Sequence, residues 1–138
     1  MSSNEVKIVE FLRTMGYTVQ LLADTGTADL KYADIVHMGV NIRILKDREI
    51  FVAAQAGLGF VPKQNVAPFF RRLLELHSVM GGPYFAIGSN NWLNFNMCRQ
   101  LDGLELVEFR VMLDTLATNY WQRVAGLIQE FQVPQQPS

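Results

Sequence analysis

By type and spacing, the residues best placed to do chemistry are Asp24-Thr25-Gly26, which follow the apolar run Leu21-Leu22-Ala23. A carboxylate does acid–base work when a second stands about 3 Å from it, where both cannot ionise, so that one acts as acid and the other as base. Other candidates are thinner. Gly57-Leu58-Gly59 follows a strand-like run and precedes a helical one, the setting of a dinucleotide loop, but position 62, where the third glycine belongs, is Pro62. His37 and His77 are the only imidazoles and lie at no ligand spacing, whereas a zinc site takes three or four ligands, so no metal or other cofactor is expected. Cys98 reads as a half-buried strand thiol rather than a nucleophile. Arg71-Arg72 and Lys63 make no basic stripe, so no nucleic-acid partner is expected. Binding hot spots are rich in large aromatics, and Phe11, Met38, Trp92 and Trp121 are the expected partner contacts, through apolar burial alone.

The elements that must position these residues follow from periodicity. Ser2 and Glu5 have capping-box spacing, and Ile8, Phe11, Leu12 and Met15 continue one helical face as far as Gly16. Tyr17 to Ala23 is β-prone, and Asp24 to Thr27 has turn chemistry. The chain from Tyr32 to Leu45 reads as one long strand, with Val40, Ile42 and Ile44 alternating against Asn41 and Arg43, so one face is wet. Ile50 to Ala56 returns beside it, and Gly57, Gly59 and Pro62 are expected to end the pairing. Asn65 is the expected N-cap of a helix that stops at Gly81-Gly82. Tyr84 to Ile87 and Trp92 to Leu101 predict a second hairpin. A long helix runs from Glu105 to Phe131 with a stripe broad enough to cover a sheet. The fold class is therefore α+β, a mainly antiparallel five-stranded sheet with three helices in the order αβββαββα.

This element order weighs on the aspartate dyad. Leu21-Leu22-Ala23-Asp24-Thr25-Gly26, with Ala86-Ile87-Gly88 as a later apolar-glycine motif and Gly57 and Gly59 as flap glycines, resembles the retroviral-type aspartic proteases. Those enzymes are all-β, and two of the clearest patterns here are helical, so Asp24 reads better as part of a turn. The protein is expected not to be an enzyme. A homodimeric protease using Asp24, or a regulator holding a small ligand between helix and sheet, are the alternatives.

A chain of 138 residues with 49% apolar residues can build one core, expected over residues 1–133 with a flexible tail at 134–138. The charged fraction of 18% and a formal net charge of −1 leave room for an apolar interface. One cysteine, no apolar run of membrane length and no basic, apolar leader at Met1 to Glu5 predict a cytoplasmic protein with no membrane partner.

The helix, strand triplet, helix, strand pair, helix order, closed by Arg99-Gln100-Leu101-Asp102-Gly103-Leu104 with Phe109, Leu113-Asp114 and Trp121, is similar to the type III secretion chaperone-like superfamily, nearest its YbjN-type and uncharacterised bacterial and cyanobacterial branches. The resemblance spans nearly the whole chain. It implies a curved antiparallel sheet, a homodimer, no catalytic residues, and a protein or peptide client held as an extended segment. The dedicated secretion chaperones are distinctly acidic and this chain is nearly neutral, which points to a housekeeping or regulatory cousin.

Overall fold

The computed structural model describes residues 3–19, 31–48 and 50–137. Helix α1 (Ser3–Thr14) leads to strands β1 (Lys31–His37), β2 (Val40–Asp47) and β3 (Phe51–Phe60). Helix α2 (Val66–His77), strands β4 (Tyr84–Ile87) and β5 (Trp92–Gln100), and a last helical run follow. That run is α3 (Leu106–Asn119), a π-helical turn over Tyr120–Val124, and α4 (Ala125–Glu130). The five strands form one antiparallel sheet in the order β1-β2-β3-β5-β4. The expected α+β class is the observed one, and the described residues hold five strands and three helices in the order αβββαββα.

Alternation decides what covers the sheet. Ile35, Ile42, Ala54, Phe95 and Met97 share one face and are buried with Ile8 and Leu12 of α1, Phe69 and Leu73 of α2, and Phe109, Met112, Leu113 and Leu116 of α3. The opposite face carries a polar row across all five strands, since Asp34 pairs with Arg43, Arg43 with Gln55, Gln55 with Asn96, and Asn96 with Tyr84. Helix α3 starts on a capping box: the Glu105 amide donates to Glu108 Oε1 at 3.2 Å, and the Glu105 carboxylate answers the amide three residues on.

Four local expectations need correction. Tyr32 to Leu45 is two strands, folded at Met38-Gly39, whose φ values of 51° and 77° are those of a tight hairpin turn. Tyr17 to Val19 carries no strand, and the rest of the β-prone stretch, with Asp24-Thr25-Gly26 and the Ser2 cap, lies outside the described residues. The glycines do not end β3, which continues through a bulge between Gly57 and Gly59 to Phe60, because β5 keeps pairing on its flank. Asn65 does cap α2, but in a left-handed conformation with no side-chain cap bond, and α2 ends at His77, ahead of the predicted stop at Gly81-Gly82.

Candidate functional site

The π-helical turn inserts a residue into the last helical run, so that Val124 and Leu127 still face the core while Trp121 swings out to the β1–β2 hairpin. There its indole N–H donates to the Met38 carbonyl at 2.8 Å. The ring lies against Gly39, where an added Cβ would sit 3.4 Å from Trp121 Cζ2. Met38 is a costly residue for a left-handed turn position, and the indole bond helps to fix it there. Both side chains stay 53% exposed. The result is a fixed apolar surface of two large side chains.

Beneath this surface runs a hydrogen-bond chain that sequence spacing did not reveal. His37, the last residue of β1, holds Asp114 Oδ1 at 2.6 Å through Nε2 and Tyr17 Oη at 2.6 Å through Nδ1. A carboxylate only accepts, so Nε2 is the donor, and in the neutral ring Nδ1 receives the Tyr17 hydroxyl. Burial, and then the Asp114 charge, raises the Tyr17 phenol above its usual range. The chain ties the end of α1, the hairpin and α3 together. Both ring nitrogens are engaged, and His37 is the post that joins these segments.

The four expected contact residues do not form one site. Met38 and Trp121 meet. Phe11 turns inward, with its ring 5.7 Å from that of Phe109. Trp92 lies on the other side of the sheet, edge-on to Phe60, with its indole N–H donated to Asn94 Oδ1 at 3.0 Å. Its ring crosses Gly57, where an added Cβ would be 2.9 Å from Trp92 Cζ2. Trp92, Asn94, Gln55, Asn41 and the Asp34–Arg43 ion pair (3.3 Å) line an open groove of about 590 Å³ on the uncovered face.

Cys98 sits beside Tyr84 on that face. Burial first, then the cysteine, raises the Tyr84 phenol above its usual range. Among the described residues no three or more acidic, His or Cys side chains cluster as metal ligands, and no helix is long and apolar enough to cross a membrane. His77 takes a different post, accepting the Phe85 amide of β4 at Nε2 at 2.9 Å.

Comparison with family models and with curated proteins finds no match. Among solved structures, the chain is similar to one in the heterodimeric ExoU–SpcU complex from the type III secretion system of Pseudomonas aeruginosa. The TM-score is 0.64 at 16% identity, over 86% of this chain and 95% of that one. YbjN of E. coli gives 0.54 at 15% identity, over 88% of this chain and 92% of that one. A chain of the HopA1–SchA chaperone–effector complex gives 0.53 at 12% identity, over 94% and 93%. The architecture and these neighbours together give this chain the fold shared by YbjN and the matched chains of the two complexes.

Proposed function

We propose that this protein is a non-catalytic, cytoplasmic module that holds a segment of a partner protein, and that it works as a homodimer. The observation that carries the reading is the Met38–Trp121 surface, an apolar pair kept exposed and fixed in position by a strained turn and an indole hydrogen bond. Preorganised aromatic and methionine contact area is what binding of an apolar segment rewards. The neighbours support it, since two of them come from complexes of secretion chaperones or effectors. Trp92 in the open-face groove is a second proposed contact, and half-buried Phe11 contributes least.

The test is capture of partners from the native host, identification by mass spectrometry, and rebinding of the purified partner to wild type, Met38→Asp and Trp121→Ala. A loss of about ten-fold or more is expected for each variant, the scale of a hot-spot truncation. Unchanged affinity in both would remove the reading of this surface. Peptide cleavage abolished by Asp24→Asn would instead overturn the non-catalytic reading.

A further inference from the structure

The ladder between β2 and β3 ends at Gln55, yet β3 continues to Phe60. Residues of the C-terminal segment take up its last polar groups. The Phe60 amide donates to the Pro134 carbonyl at 2.7 Å, and Gln135 Nε2 donates to the Leu58 carbonyl at 2.9 Å and to the Val133 carbonyl at 3.2 Å. Val133 is buried at 6% exposure. Between the two bonded residues of β3 lies Gly59, at φ 129°. A Cβ there would stand 2.5 Å from the Pro134 carbonyl oxygen, 2.7 Å from Gln135 Nε2 and 2.8 Å from Val133 Cγ1. The missing side chain is a notch in which this segment sits. Pro134 and Gln135, expected in the fraying tail, are therefore seated on the sheet.

Beside the notch, Phe60, Phe70, Phe131, Pro134, Gln136 and Pro137 line a cavity of about 930 Å³. What the notch holds is a short, specific set of groups: an apolar anchor, a main-chain carbonyl offered by a residue whose own N–H is not needed, and a primary amide. These are the groups of Val133, Pro134 and Gln135 in order.

We propose that the end of β3 is a polypeptide-binding site for extended segments of the pattern apolar-Pro-Gln, and that the chain's own residues 133–137 occupy it as a competing strap. The inference rests on the reading that this protein holds polypeptide segments, and names a site and a ligand class for it. A ligand in trans meets a site whose open fraction is set by the strap, so its apparent affinity is reduced by that fraction.

The experiment uses the full chain and a fluorescent peptide copying residues 131–137, with a scrambled peptide as control, read by anisotropy. Gln135→Ala removes both side-chain bonds of Gln135, one of them to the sheet, and is expected to bind the peptide about five-fold more tightly than wild type, with faster exchange of the Phe60 amide. Gly59→Ala is expected to release the strap and bind no peptide, its circular dichroism unchanged. Equal affinity of Gln135→Ala and wild type, or equal binding of the scrambled peptide, overturns the proposal even if Gly59→Ala fails to fold. Peptide failure leaves partner capture at Met38 and Trp121 standing, whereas loss of that capture with peptide binding intact removes only the earlier reading.

Discussion

Tyr32 is fully enclosed, and its hydroxyl has no hydrogen-bond partner among the described residues. An unsatisfied buried hydroxyl costs roughly 1–3 kcal/mol, while its removal at constant shape is neutral or favourable. Tyr32→Phe is expected to raise stability by about 1 kcal/mol, read as a higher urea midpoint at unchanged slope. Burial, and then the Glu5 charge, pushes this phenol up to about 12. The unfolded chain loses the proton near the ordinary phenol value of about 10, while the folded chain keeps it, so stability is full below pH 10 and falls as pH climbs towards 12. Tyr32→Phe should flatten that alkaline fall in part, the raised Tyr17 and Tyr84 phenols accounting for the remainder. An identical alkaline profile would show that Tyr32 is not enclosed. His37 makes the contrary case, because its partners Tyr17 and Asp114 are 20 and 77 residues away. No local spacing could announce them. His37→Phe strands the half-buried Tyr17 hydroxyl and is expected to cost about 1–2 kcal/mol in the same assay.

At the scale of elements, what the sequence displays is what periodicity and punctuation encode. The stripe from Leu106 to Phe131 and the Val40-Ile42-Ile44 alternation are visible because burial repeats with the geometry of helix and strand. The hairpin at Met38-Gly39 is not, because its left-handed first position carries methionine where Asn or Asp would signal the turn, and it is held by Trp121 from 83 residues away. The Gly57–Gly59 bulge was misread for a related reason. Glycine marks both the end of a strand and a close approach within one, and only the Trp92 ring over Gly57 and the strap over Gly59 distinguish them. Gly57→Ala drives a methyl into that ring, so the indole must leave Asn94. The expected loss is about 1–3 kcal/mol, the usual cost of overpacking. In a Trp121→Phe background, native-state emission should also shift to the red, and emission unchanged from the parent would refute this placement of Trp92.

For the whole molecule, the strand order puts β4 at an outer edge of the sheet, and an edge strand invites pairing with another chain. His77, the last residue of α2, reaches this edge to occupy the Phe85 amide. Leu74, one turn before His77, is 68% exposed, and Val79 and Ile87 are exposed nearby in the chain, at the end of α2 and on β4. Apolar side chains bordering a partly capped edge suit an isologous contact across a two-fold axis better than an open-ended one, since the short β4 and the His77 cap discourage continuous strand addition. The homodimer proposed for this protein is therefore expected to use α2 and β4, leaving the Met38–Trp121 surface, at the hairpin that joins the two strands of the far edge, free for a partner. Light scattering after gel filtration should show a dimer for wild type, and a monomer with unchanged circular dichroism for Leu74→Glu and Ile87→Glu. An apolar contact is little screened by ions, so raising the salt should leave the dimer intact. A wild-type monomer at every accessible concentration would refute the homodimer, whereas a dimer indifferent to both substitutions would move its interface away from β4.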